Sequence, residues 1–274
     1  MIDLHIHTTV SDGTLAPSQA VARAAELGVS VIALADHDVT DGIEPAIAAA
    51  GHLNVEVVPG IEINTDYAET EIHLLGYFID PQYPALQAVL RQIREGRNER
   101  TRSILRRLHD LGVPLREERV LQISGVGSVC RPHIAAAMVE AGHAGSIIEA
   151  FDRYLGRGKP AYVPRISITP QQAIEAIHAA GGISVIAHPL KIRDPGLVER
   201  MIAAGAMGIE AFHCDHTPAD QRHYIALASR HGLILTGGSD SHGPFGPRPV
   251  EIGSVPVPEW VWPMLLEARA RLQR

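Results

Sequence analysis

The opening stretch MIDLHIHTTVSDGT places two imidazoles and a carboxylate, His5, His7 and Asp12, around a short apolar run. Residues i and i+2 of a strand point to the same side, so His5 and His7 present both rings on one face and can share a metal ion. The same residue types recur along the chain. His37 stands between two aspartates in LADHD, Glu62 lies in GIEIN and His73 in EIHLLG. His188 ends ISVIAH, and Asp240 and His242 form a second i, i+2 pair in GSDSH. Nine candidate ligands exceed what one ion uses, because a catalytic zinc takes about three protein ligands. Two or three ions are therefore expected, with Glu62 as a bridge. Imidazole and carboxylate without thiolate suit manganese, iron or zinc and do not separate them. Clustered cations need an anionic partner, and a phosphate, whose oxygens bridge metals, is the natural one.

Each fragment alone has a plainer role. A single His-x-His is also a surface or capping pair, and a carboxylate at a strand end is often the N-cap of the next helix. Glu62 and Asp240 both admit that role. Capping does not call for histidines beside the carboxylates on five strand ends, so the set as a whole points to metal. His52, His109, His143, His178, His223 and His231 fall on or beside helices and loops and read as ordinary.

These residues need a scaffold that gathers strand ends. The sequence alternates: strand IDLHIH, helix APSQAVARAAELG, strand VSVIALAD, helix TDGIEPAIAAAG, then strands NVEVVPGIEIN and TEIHLLGYFI. After a break come SITPQQAIEAIHAAGG, ISVIAH, PGLVERMIAAG, MGIEAFH, TPADQRHYIALASRHG, LILTGGSD and a last helix near Pro258–Gln273. Alternation of this kind predicts parallel strands joined by right-handed crossovers. Six or seven such units suggest a barrel, and the strand C-terminal ends of a barrel converge on one face where active sites are built. The break, about Pro84 to Pro160, reads as helix after helix and predicts an insertion over one end of the barrel. Its charge-rich RQIREGRNERTRSILRR reads as a solvated helix face, with a nucleic-acid contact as the sharper alternative.

At 274 residues the chain fits one large domain carrying an insertion, and 46% hydrophobic content is ample for its core. A net charge of −7 argues against a broad surface for duplex nucleic acid. Cys130 and Cys214 are too few for a disulfide framework. The start lacks a secretory leader and no apolar run is long enough to span a bilayer, so a cytoplasmic protein is expected.

Together DLHIHTTVSDG, LADHD, GIEIN, IHLLGY, IAHP and GSDSH resemble the motifs of the polymerase-and-histidinol-phosphatase (PHP) family, in order and in strand-end placement. The resemblance covers most of the chain, and no ligand position departs from it. It implies a distorted seven-stranded (β/α) barrel, residues 1–83 and 161–274, with a helical lid of residues 84–160. It implies three divalent ions, manganese first and iron or zinc after it. His5, His7, Glu62 and Asp240 would hold one ion, Glu62, His73 and His188 a second, and Asp12, His37 and His242 a third. The stretches VCRPHIAAAMVEAG, AFDRYLGRGKPAYVP and IEAFHCDHT resemble the subfamily that removes the 3′-phosphate of nucleoside 3′,5′-bisphosphates, relatives of which trim short RNA from its 5′ end. The implied partner is a nucleotide or short oligonucleotide, with no duplex and no membrane.

The insertion's own residues agree. Arg131, His133 and Lys159 sit beside Gly127, Gly156 and Gly158, where backbone amides approach an anion, and arginine offers a fork for phosphate. Plainer roles are a surface ion pair for Arg131 and a solvated side chain for Lys159. Tyr162 either stacks on a base or packs. His213 and His216 face the substrate or support the site from behind, and His213 is a candidate proton donor to the leaving oxygen beside the catalytic Glu62 and Asp240. Three rivals remain open: a histidinol-phosphate-type phosphatase, a two-metal amidohydrolase, and a non-catalytic interaction module, which would tolerate broken ligands where none is broken here.

Overall fold

Short aliphatic runs form the strands: β1 (Ile2–Ile6), β2 (Val31–Leu34), β3 (Glu56–Val58), β4 (Gly60–Tyr67), β5 (Thr70–Tyr77), β6 (Ile183–Ile186), β7 (Gly208–His213) and β8 (Ile234–Gly238). The helices are α1 (Pro17–Glu26), α2 (Ile43–Ala50), α3 (Pro84–Asp110), α4 (Glu117–Ser124), α5 (Arg131–Glu140), α6 (Ile147–Ala150), α7 (Pro170–Ala179), α8 (Pro195–Ala203), α9 (Pro218–His231) and α10 (Val261–Leu272). The computed structural model describes residues 1–68, 70–124, 129, 131–164, 168–246 and 249–273. Local sequence sets the helix starts. Thr169 and Thr217 each cap a helix that has proline in its first turn, and Gln172 or Asp220 returns the bond to the cap residue. No described helix is long and apolar enough to cross a membrane.

The chain divides into two compact units, Met1–Leu90 with Ile168–Arg274, and Arg91–Ser167. The first unit is a mixed α/β structure. Its strands form a parallel three-stranded sheet ordered β1-β2-β3 and a five-stranded sheet ordered β4-β5-β6-β7-β8. Single parallel bridges, Ile6 with Ser241 and His37 with Glu62, join the sheets. Helix residues Ala20, Val21, Ala24 and Ala46 pack on Ile6, Ile32 and Leu34 to form part of its core.

Three features differ from the sequence reading. NVEVVPGIEIN is two strands, because Pro59 has no N–H for a ladder. β3 pairs with β2, whereas β4 pairs with β5. β5 runs antiparallel to both β4 and β6, against the parallel expectation. Only two residues separate Tyr67 from Thr70, and a link that short makes a hairpin, since a parallel crossover needs a dozen or more. Finally, the described strands form two sheets rather than one closed ladder, because the joins between sheets are single bridges.

The second unit is helical. Ile104, Leu108, Val120, Ile134, Met138 and Leu155 lie at its own buried core.

Candidate metal centre

The strands deliver the nine residues by different routes. His5 lies within β1 and His7 follows it directly. His188 and Asp240 each stand two residues beyond a strand, β6 and β8. Glu62 is the third residue of β4 rather than its last, and His73 is mid-strand in β5. They still join the strand ends, because Glu62 bridges to His37 beyond β2 and the antiparallel β5 sets His73 opposite Asn64. At Gly13 a Cβ would fall 2.4 Å from the His7 carbonyl oxygen, so only glycine allows the tight turn that carries Asp12. Asp38, His188 and Asp240 hold positive φ angles of 57°, 25° and 55°. Such backbone persists where surroundings over-determine it, and it clusters at functional sites.

Glu62 is the hub. Its Oε2 lies 3.3 Å from His5 Nε2, 3.2 Å from His7 Nε2 and 3.2 Å from His37 Nδ1. Its Oε1 lies 2.8 Å from both His73 Nδ1 and His188 Nε2. One buried carboxylate thus faces five imidazoles, three on one oxygen and two on the other. Asp240 Oδ1 lies 3.2 Å from His7 Nε2 and 3.5 Å from His5 Nε2. Asp12 lies 3.4 Å from His242 Nε2. The donor atoms of His5, His7, Glu62 and Asp240 all fall within 4.8 Å of one another, as do those of His7, Asp12, His37 and His242, and those of His37, Glu62 and His73.

Electrostatics follow from this crowding. Burial opposes charge on His7, but the carboxylates of Asp240 and Glu62, each 3.2 Å from Nε2, outweigh it and raise its pKa to about 10. His73 is likewise raised to about 9 against burial, with Glu62 the main partner. Burial dominates at His37 and His188, lowering them to about 3 and about 4. Glu62 and Asp240 stay far below the ordinary carboxylate range despite burial, because the imidazoles packed around them favour the charged carboxylate.

The residues fit a metal group. Both ring nitrogens of His7, Nδ1 of His37 and Nδ1 of His188 are buried without a hydrogen-bond partner among the described residues. Buried polar atoms are normally satisfied, and each exception needs an explanation such as an ion. His242 Nδ1 donates to the Asp240 carbonyl at 2.9 Å, which leaves Nε2 facing Asp12 as a lone pair. The donor set is nitrogen and oxygen throughout, suited to first-row divalent ions.

His213 ends β7, buried, with Nε2 3.2 Å from Asp240 Oδ2. Its Nδ1 accepts the Asp215 backbone N–H at 3.1 Å, so in the neutral ring the hydrogen sits on Nε2, facing Asp240. His216 is buried behind it, with ring centroids 5.3 Å apart, and Nδ1 donates to the Ala211 carbonyl at 2.9 Å. Two groups appear that motif reading does not mark. Lys191 Nζ donates to Asp240 Oδ2 at 3.0 Å, and Glu210 of β7 bonds His5 Nδ1 at 2.9 Å. A carboxylate inside the buried strand MGIEAFH is the only sequence signal of Glu210. Of the DHD triplet, His37 alone enters the centre. Asp36 accepts from Thr8 and Ser11, and Asp38 from Asn64.

Arg131, His133, Lys159 and Tyr162 belong to the second unit. Arg131 starts α5, donates to the Leu155 carbonyl at 3.2 Å, and lies over the Phe151 and Tyr162 rings at 5.5 and 5.6 Å. His133 is half-buried on α5 and Lys159 is exposed in the turn after Gly156. Gly127 and Cys130 lie outside the described residues.

The PHP domain family matches residues 3–122. The 5′-3′ exoribonuclease Rnm of Escherichia coli is 39% identical over 250 residues, 88% of this chain and 85% of its own length. The 3′,5′-nucleoside bisphosphate phosphatase of Chromobacterium violaceum is 36% identical over 281 residues, 100% of this chain and 98% of its own. A solved structure from Bifidobacterium adolescentis, described as a metal-dependent phosphoesterase, superposes with TM-score 0.82 at 31% identity, covering 98% of this chain and 96% of that one.

Proposed function

This chain belongs to the PHP family, and on that premise we propose that it removes the 3′-phosphate of nucleoside 3′,5′-bisphosphates to leave 5′-mononucleotides. It is a metal-dependent phosphoesterase of nucleotides, a phosphoric ester hydrolase. The observation that carries the reading is the Glu62 hub with its five imidazoles, flanked by Asp240 and by the Asp12–His242 pair. Three ions are assigned, one to His5, His7, Glu62 and Asp240, one to Glu62, His73 and His188, and one to Asp12, His37 and His242. The reading takes the two sheets as arcs of a distorted (β/α)7 barrel, in keeping with the bridges Ile6–Ser241 and His37–Glu62.

Bound divalent ions, manganese first with iron or zinc after it, supply activation of water toward a pKa of about 7 and neutralisation of phosphate charge. The protein's part is positional. Glu62 and Asp240 fix the donor atoms, and the strained backbone at His188 and Asp240 holds them before substrate arrives. His213, whose pKa Glu210 and Asp240 raise to about 9 against burial, is assigned to give the Nε2 proton of its imidazolium to the leaving ribose oxygen and so return to the neutral ring. His216 supports the His213 turn, and Lys191 adds positive charge beside Asp240. Arg131, His133, Lys159 and Tyr162 are assigned to the phosphate that is not cleaved and to the base. A second reading, trimming of short 5′-phosphorylated RNA, is supported by the likeness to the E. coli exoribonuclease.

The test compares adenosine 3′,5′-bisphosphate with 3′-AMP and 5′-AMP on metal-reconstituted protein. The bisphosphate should be fastest and should yield 5′-AMP and phosphate. Release of the 5′-phosphate, or equal rates on all three, overturns the reading.

A further inference from the structure

Glu210 is a fully buried carboxylate that the ligand assignment leaves unused. It sits on β7, between β6 and β8, and touches two other strands' contributions to the centre at once. Its Oε2 accepts the His188 backbone N–H at 2.7 Å, and its Oε1 lies 2.9 Å from His5 Nδ1. A carboxylate only accepts, so the hydrogen of His5 rests on Nδ1 and the lone pair falls on Nε2. That atom faces the centre, 3.3 Å from Glu62 Oε2 and 3.5 Å from Asp240 Oδ1. The other bond anchors the N–H of a non-glycine residue at φ 25°, a conformation that needs outside support.

We propose that Glu210 is a positioning residue of the metal centre: it fixes His5 in the tautomer whose Nε2 can ligate, and it pins the His188 backbone in its left-handed turn. The inference rests on reading His5 and His188 as ligands. Carboxylates that hold the far nitrogen of a ligating imidazole are worth roughly 10- to 100-fold in metal affinity. Glutamine is the informative replacement because it has one acceptor and one donor where Glu210 has two acceptors. If its oxygen keeps the His188 N–H, its amide donates to His5 Nδ1, and the ring hydrogen moves to Nε2, which then cannot bind an ion.

Zinc affinity is measured by chelator competition on wild type, Glu210→Gln and His5→Ala, with stoichiometry and kcat followed as zinc is raised. The expected result for Glu210→Gln is affinity lower by about 10- to 100-fold, with full stoichiometry and kcat regained at high zinc. Unchanged affinity with lowered kcat overturns the proposal in favour of a catalytic role. One equivalent lost at any zinc concentration overturns it by making Glu210 a ligand, a geometry the His5–Glu210–His213 grouping allows. If Glu210→Gln does not fold, imidazole 15N spectra of zinc-loaded wild type decide: His5 should carry hydrogen on Nδ1 and zinc on Nε2, and the reverse overturns the proposal. His5→Ala with wild-type affinity and stoichiometry instead overturns the underlying ligand reading, and this inference falls with it.

Discussion

The two units treat charge in opposite ways. Residues 91–167 carry 14 lysines and arginines against 8 aspartates and glutamates, a net of +6; the remainder carries 10 against 23, a net of −13, which together make the −7 of the chain. In the first unit the decisive charges are buried, with Glu62 1% and His5 0% exposed, and each is held by groups it cannot leave. In the second, cations lie on the surface and pair with exposed carboxylates, as in Arg102–Glu117, Arg106–Glu99 and Arg119–Glu140. Burial makes an interaction strong and an unpaired group costly; exposure leaves it weak and screened by salt. The acidic unit is thus built to hold cations in fixed geometry. The basic unit is built to present charge that exchanges partners readily.

The sharpest break in this contrast is Asp240→Asn. It removes one charge from a carboxylate that faces His5, His7, His213 and Lys191. Turnover should fall by at least about 100-fold, more than loss of an outer partner of a metal ligand costs, while the circular dichroism of the fold stays unchanged. Metal analysis of the wild type, purified with manganese, should approach three equivalents. A firm value near one with full activity removes the three-ion assignment.

Next in size is Arg131→Ala. If Arg131 binds the uncleaved phosphate, the loss of a charge-assisted bond, worth roughly 1.5–3 kcal/mol, lowers kcat/KM on the bisphosphate by about 10- to 150-fold. A generic aryl phosphate should hardly respond. Arg131 also donates to the Leu155 carbonyl and lies over two rings, so Tm is measured alongside. Equal loss on both substrates with a lowered Tm makes it a packing residue.

How much of this is legible in the sequence depends on whether a signal is local. His5 and His7 are legible because strand alternation fixes their common face, and Asp240 and His242 because they repeat the spacing. The triplet at Asp36–Asp38 is only half legible: alternation turns His37 inward and both aspartates away, but which parity wins depends on β2's neighbours. The direction of β5 is hidden, since TEIHLLGY has the same pattern either way up. The clue lies in the two-residue gap before it and in Pro59 before β4. Glu210 is hidden for a different reason. Its partners are His5 and His188, which lie 205 and 22 residues away, and only the order of the strands brings them together. In the second unit, the helices are legible from their composition, whereas the stacking of Arg131 on Phe151 and Tyr162 is not.

A smaller effect is expected in the pH dependence of stability without metal. His7 and His73 have pKa values raised to about 10 and about 9 in the fold, so their contribution is complete below the unfolded value of 6.5 and is lost as pH climbs through 9 to 10. His37 and His188 are lowered to about 3 and about 4, so theirs is complete above 6.5 and is lost as pH falls toward those values. Chelator-treated protein should therefore show its highest Tm near pH 6.5, the common unfolded value. Metal loading replaces protons on the ligands and releases them, so the loaded protein should lose the alkaline decline. A metal-free Tm that keeps rising to pH 9 would contradict the proton-holding role of the carboxylates.

The smallest effect tests the comparison at matched geometry. Arg119 Nε and Glu140 Oε1 are 2.9 Å apart on the surface of the second unit, and His5 Nδ1 and Glu210 Oε1 are 2.9 Å apart in the buried centre. Distance alone predicts similar coupling. Burial predicts otherwise, because water and ions compete for the first pair and long flexible side chains lose entropy in forming it. The Arg119 pair is also held by a second contact, Nη2 to Glu140 Oε2 at 2.8 Å, so it is a favourable case for a surface bridge. A double-mutant cycle of Arg119→Ala and Glu140→Ala, read by Tm in low and high salt, should give a small coupling that high salt removes. Phosphatase activity should not change. A coupling that survives high salt would show that the second unit also holds its charges in place, and the division of labour drawn between the two units would have to be abandoned.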